Sequence, residues 1–191
     1  MAIPPEQLRW KTLESKHLFK DTWLTARVDT CQKHNGEVVH PYYVMEYPHW
    51  VVALARTKTG KYVIEQQYRH ALGEIAYELP GGCIDADDTN FETAIARELL
   101  EETGYQFTQY VYLGKTSANP STNSNWMHMF VALGGEKVQE PNWDANEEIN
   151  VFEFTAAELD ALVAEQSIIQ SMHITTYFFA KTYLEKQGLW V

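Results

Sequence analysis

Three glutamates, Glu98, Glu101 and Glu102, stand close together near the end of a segment with helical signals. At the helical period they fall on one face, with Leu99 and Leu100 turned away from it. Carboxylates so placed meet the unfavourable end of the helix dipole, and Glu98 and Glu102 repel as like charges one turn apart. Arg97 can pair with Glu101 at the same spacing, but one arginine does not neutralise three glutamates. Two readings of the cluster follow. A hard divalent cation, magnesium or manganese, binds such oxygens together with waters and the phosphates of a substrate. Alternatively the glutamates form a solvated acidic face, which is the commoner fate of such a group.

The elements around the cluster place it. Thr89 and Glu92 have capping-box spacing and Gly104 suits the left-handed position past a helix end, so the helix is expected over about 90 to 103. Before it, Glu78-Leu79-Pro80-Gly81-Gly82 ends an apolar strand and turns into a loop. Upstream, the segment from Trp23 to Met45 alternates like a hairpin about Asn35-Gly36, and Val51 to Arg69 reads as a second hairpin turning at Lys58 to Lys61. Downstream, Val111 to Gly114 and Trp126 to Leu133 read as strands flanking a polar loop, Thr116 to Asn125, with His128 a structural residue in its apolar strand. Residues 156–166 and 171–186 read as helices that cover the sheet.

Composition bounds the class. The chain has 191 residues, 45% hydrophobic and 13% aromatic, enough for one globular domain with an extra element. A net charge of −11 argues against a nucleic-acid backbone as partner. The two cysteines, Cys31 and Cys83, form no Cys-x-x-Cys pair and suggest no disulfide framework, and no apolar run is long enough to span a bilayer. A cytoplasmic protein that binds neither nucleic acid nor membrane is expected.

The order Gly82, then Arg97-Glu98-Leu99-Leu100-Glu101-Glu102-Thr103-Gly104-Tyr105, resembles the signature box of the Nudix hydrolases. Its second half matches at every defined position. Its first half departs: the position expected to be glutamate is Asp88, and eight residues rather than seven separate it from Arg97, which reads as one extra residue in the loop. The resemblance implies an α/β/α sandwich with a mixed sheet over residues 46–191, preceded by an N-terminal β-hairpin element over residues 1–45 that builds a homodimer. It further implies magnesium-dependent cleavage, manganese being possible, of a nucleoside diphosphate sugar to a nucleoside monophosphate and a sugar phosphate.

The ADP-ribose pyrophosphatase branch is the nearest in pattern, which makes ADP-ribose the leading small-molecule substrate. By the same resemblance Glu98, Glu101, Glu102 and the Gly81 carbonyl are the metal ligands. Arg69, in Gln-Tyr-Arg, contacts the phosphates, a role its planar fork suits, against the alternative of a surface salt bridge. Glu78 orients substrate or metal waters, and Trp10 and Trp23 resemble base-stacking residues, against the alternative of packing anchors. The water-activating base is Glu147, with the adjacent Glu148 as fallback; the alternative leaves both as solvated loop acids. Two other functions use the same pattern: a hydrolase for another sugar nucleotide such as GDP-mannose, and a non-catalytic module that senses a nucleotide.

Overall fold

The computed structural model describes residues 2–21, 24–144 and 147–191. The chain forms two units, Met1–Pro48 with Asn119–Asn125, and His49–Ala118 with Trp126–Val191.

In the first unit β1 (Lys11–Lys20), β2 (Thr25–Gln32) and β3 (Val38–Glu46) make an antiparallel sheet in that order. β2 and β3 are the hairpin the alternation marks, and Gly36 in its turn takes φ 85°, a left-handed value open to glycine. β1 adds a strand that alternation does not reveal, because every one of its residues is exposed and neither face meets a core. The polar segment 119–125 is tied to β3. Met45 N–H donates to the Thr122 carbonyl at 2.8 Å, Ser124 N–H to the Met45 carbonyl at 3.0 Å, and the Tyr42 hydroxyl to the Ser121 carbonyl at 2.9 Å. A segment readable as a mere turn thus gains fixed backbone partners.

The second unit contains β4 (Trp50–Thr57), β5 (Tyr62–Arg69), β6 (Glu74–Glu78), α1 (Phe91–Thr103), β7 (Tyr105–Gln106), β8 (Gln109–Thr116), β9 (Met127–Lys137), β10 (Ile149–Phe154), α2 (Ala156–Ala164) and α3 (Ser171–Lys186). Its sheet runs β10-β5-β4-β9-β7, with β6 on β5 and β8 on β9. β4 and β9 are parallel and the other pairs antiparallel, so the sheet is mixed.

Alternate residues of the central strands supply two cores, as a period of two requires. Val52 and Leu54 of β4, Tyr62 and Ile64 of β5, and Met127, Met129 and Val131 of β9 pack with Leu159, Tyr177 and Leu184 of α2 and α3. Val51, Ala53 and Ala55, Val63, and Phe130 and Ala132 pack with Ala94, Ile95 and Leu99 of α1. Helices on both faces of one sheet make an α/β/α sandwich. Among the described residues, no helix is long and apolar enough to cross a membrane.

Candidate active site

α1 starts one residue later than its capping signals suggest. Asn90, not Thr89, is the N-cap: its side-chain oxygen accepts from the N–H groups of Glu92 and Thr93, both at 2.9 Å, and Thr93 Oγ1 accepts from the Asn90 N–H at 3.0 Å. With this register Ile95 and Leu99 point into the sheet, while Glu98 and Glu102 border the same buried stripe. Gly104 ends the helix at φ 77°, its N–H donating to the Leu100 carbonyl at 3.0 Å.

The glutamates do not form a solvated face. Glu98 and Glu102 are 9% and 5% exposed, and only Glu101 reaches well into solvent. Burial pushes the Glu98 carboxyl up to about 7, against the opposing pull of the Arg97 guanidinium. Glu102 is driven well above the usual carboxylate range, first by burial and then by the charges of Glu65 and Glu98.

The glycine loop reaches the helix at close quarters. Pro80 and Gly82 carbonyls accept from the N–H groups of Ala53 and Val51 on β4, at 3.1 and 2.9 Å, and between them the Gly81 N–H donates to Glu102 Oε2 at 2.8 Å. Gly81 sits at φ 148°, and a Cβ there would collide with the Val51 carbonyl oxygen and stand 2.7 Å from Val52 Cα. A Cβ at Gly82 would stand 2.6 Å from Glu98 Oε1. From below, the buried His173 of α3 accepts the Leu79 N–H on Nδ1 at 3.0 Å, which fixes the loop's entry.

Asp88 takes a part in the site that the altered half of the box leaves open. Its carboxylate receives Arg97 Nη2 at 2.9 Å and the Asp85 N–H at 2.9 Å, and Arg97 holds it below its ordinary range. Arg97 also donates to Glu101 Oε2 at 2.9 Å and to the Cys83 carbonyl at 3.0 Å, and lies 3.3 Å from Glu98 Oε1. One guanidinium therefore ties loop to helix. A carboxylate one methylene shorter, carried on a loop one residue longer, still reaches it.

Arg69 and Glu78 come together as a pair. Arg69 Nε donates to Glu78 Oε1 at 2.7 Å and a terminal nitrogen to Oε2, while Gln67 Nε2 reaches the same carboxylate at 3.5 Å. Glu78 is buried, whereas the Arg69 side chain keeps about half its surface exposed. Glu65, opposite Glu78 in the register of β5 and β6, is buried as well and is pushed upward first by burial and then by Glu78. Nothing in the sequence marks it, since it is one acid in an apolar strand.

Of the two candidate bases, Glu147 is partly buried and its charge is felt at Glu65, Glu98 and Glu102, whereas Glu148 is exposed. The segment before it is anchored to the end of α1. Asn142 N–H donates to the Glu101 carbonyl at 2.8 Å, Trp143 Nε1 to the Glu102 carbonyl at 2.9 Å, and the Asp144 N–H to Glu147 Oε2 at 3.0 Å. The first two donors satisfy carbonyls that a helix end leaves without partners, and the third ties Glu147 to its own loop.

In the first unit Trp10 sets an edge against Tyr42, ring centres 5.9 Å apart, and leaves 43% of its surface exposed. Trp23 lies outside the described residues. His128, read as structural, is buried and stacked on Phe91 at 3.6 Å.

The donor chemistry fits a hard cation: acidic oxygens meet in a buried place, and one of them, Glu65 Oε1, has no hydrogen-bond partner. Among the described residues, however, no three acidic, histidine or cysteine side chains already stand as a metal cage. Arg97 accounts for this physically, because it holds Glu101 and touches Glu98.

Residues 47–172 match the NUDIX domain family, and residues 10–45 match the nucleoside diphosphate sugar hydrolase N-terminal domain. The methanol dehydrogenase activator of Bacillus methanolicus is 28% identical over 93% of this chain and 93% of its own. The ADP-ribose pyrophosphatase of Bacillus subtilis (strain 168) is 26% identical, over 85% of this chain and 88% of its own. The ADP-ribose pyrophosphatase of Mycobacterium tuberculosis is likewise 26% identical, over 86% and 80%. A solved ADP compounds hydrolase superposes with a TM-score of 0.83 at 20% identity, covering 95% of this chain and 97% of that one, and so shares the fold. With a family match across most of its length and an intact Arg97-to-Tyr105 box running through the end of α1, the chain belongs to the Nudix hydrolases.

Proposed function

We propose that this hydrolase cleaves the pyrophosphate of a nucleoside diphosphate sugar, ADP-ribose first among candidates, to a nucleoside monophosphate and a sugar phosphate, with magnesium or manganese as cofactor. The observation that carries the reading is the burial of Glu98 and Glu102 side by side on α1 beneath a glycine loop whose Gly81 leaves no space for a Cβ and donates its N–H to Glu102. Burying like charges is costly unless a cation is received there. Glu98, Glu101, Glu102 and the Gly81 carbonyl would hold it, in competition with Arg97 for the first two. The bound cation would neutralise diphosphate oxygens and acidify a water.

The remaining work falls to the chain's own groups. Glu147 takes the proton of the attacking water, supported by its position within the field of the three buried glutamates. Glu148, exposed, is the fallback. Arg69 orients the phosphate chain with its free edge, while buried Glu78 fixes the guanidinium plane. Trp10 offers a half-exposed indole for stacking on a base. β1, exposed along its whole length with Leu13, Leu18 and Phe19 outward, is the surface a second copy of the chain would cover in a homodimer. Free Cys31 and Cys83 accord with a cytoplasmic setting.

The test is product identity. ADP-ribose, GDP-mannose, UDP-glucose, NADH and coenzyme A are incubated with the protein and magnesium, with and without chelator, beside Glu102→Gln. Chelator-sensitive release of AMP from ADP-ribose above all others, lost in a folded Glu102→Gln, is the expected result. Turnover that survives both chelator and the substitution would refute the reading.

A further inference from the structure

On β5, Val63 packs against α1 while Tyr62 and Ile64 face the other helices, so the period of two turns Glu65 toward α1 as well. It is 1% exposed. Its carboxyl group lies within hydrogen-bonding reach of Glu102, and its Oε1 has no partner. Across the strand pair stands Glu78, whose own carboxylate already takes up Arg69, so this arginine leaves Glu65 Oε1 without a donor. An apolar residue would continue the core begun by Val63. A buried acid with an idle oxygen gives the fold nothing in return, which is the mark of a group kept for binding.

We propose that Glu65 is a further oxygen donor of the divalent-cation site, holding the cation or one of its waters through Oε1 and fixing the Glu102 carboxylate beside it. The inference rests on the cation reading made for Glu98, Glu101 and Glu102. The ligand class is a hard divalent cation, because a diphosphate oxygen could approach a buried carboxylate only through a cation or a water.

The experiment is titration of Mn2+ into the full chain without nucleotide, following the free-ion electron paramagnetic resonance signal, for the natural protein, Glu65→Gln and Glu102→Gln. Glu65→Gln keeps the shape and the contact to Glu102 but removes the charge. Its Mn2+ affinity is expected to fall by about 10- to 100-fold, the usual effect of altering a metal site's supporting shell, with an unchanged circular dichroism spectrum. Unchanged affinity would overturn the inference and leave Glu65 and Glu102 as a structural pair; with Glu102→Gln impaired, the cation reading itself would stand. A natural protein that binds no Mn2+, or a Glu102→Gln that binds it normally, would overturn both. Should Glu65→Gln fail to fold, Glu65→Asp withdraws the carboxylate by one methylene without removing its charge. Weakened binding there supports the assignment, and natural affinity overturns it.

Discussion

Gly81 and Gly82 are neighbours in the chain, yet the structure predicts opposite consequences for adding one methyl group to each. At Gly82 the backbone is open to any residue, and the new Cβ meets only the far end of a side chain, with Glu98 Oε1 at 2.6 Å and Cδ at 2.8 Å. The carboxylate must withdraw by about 0.8 Å to reach ordinary contact, which a rotation of its own torsions supplies at about 1 kcal/mol. Gly82→Ala should therefore melt within about 4 °C of the natural protein. Its turnover should nevertheless fall by about 10- to 100-fold, since a displacement near 1 Å in a catalytic constellation has effects of that order.

At Gly81 the added methyl meets the backbone of β4 at a φ of 148°, and neither can yield without moving a core strand. Gly81→Ala should lose about 3 kcal/mol or more, from conformational strain plus the collision. Urea unfolding read by tryptophan fluorescence, together with steady-state rates on whichever sugar nucleotide the product assay identifies, checks both. A fully active Gly82→Ala would show that the Glu98 carboxylate need not stand where it does. Equal destabilisation by the two substitutions would refute the distinction between side-chain and backbone contact.

Asp88→Ala should cost about 2 kcal/mol, because a charged acceptor is taken from Arg97 and a cap from the Asp85 N–H; unfolding stability within about 0.5 kcal/mol of the natural protein would contradict the assigned pairing. Trp143→Phe removes the Nε1 donor to the Glu102 carbonyl, and water can replace it at this half-exposed site, so stability should change by less than about 1 kcal/mol while turnover drops severalfold. An unchanged rate would mean that this anchor does not position Glu147. The buried His173 ring is pushed down to about 4 by burial and accepts the Leu79 N–H, so the folded state needs it neutral. As pH falls below about 6.5 the unfolded chain binds the proton first, and stability worth up to about 3 kcal/mol is lost progressively until pH reaches about 4, below which the term is constant. Comparing unfolding at pH 7 and pH 5 in the natural protein and in His173→Gln isolates it, because other groups cancel; equal slopes would refute the assignment.

The helix bearing the box, the two helices after the last strand and most strand segments were legible because each carries a local period or a capping signal. Helix 171–186 is observed as read, and the hairpin about Asn35-Gly36 follows from turn chemistry. β1 was illegible for the reason that it is exposed throughout: with no core to face, its order of polar and apolar residues carries no period. The one-residue error at the cap arose because Thr89 and Asn90 are both competent N-caps, and tertiary packing of Ile95 and Leu99 decides between them.

The candidate site divides along the same line. Glu98, Glu101 and Glu102 could be read from helical spacing, but not the burial of Glu98 and Glu102, which depends on β4 receiving the glycine loop and on β5 lying beneath them. Asp88 and Glu65 escaped because each acquires meaning from a partner distant in sequence, Arg97 across the loop and Glu102 across the sheet. Burial then inverts the value of these acids. On a surface, the group would be an ordinary solvated cluster; beneath the loop, Glu98 and Glu102 share a buried space in which each charge disfavours the other, so on the proposed reading a divalent cation would relieve a cost that the exposed acids elsewhere on a chain of net charge −11 do not carry.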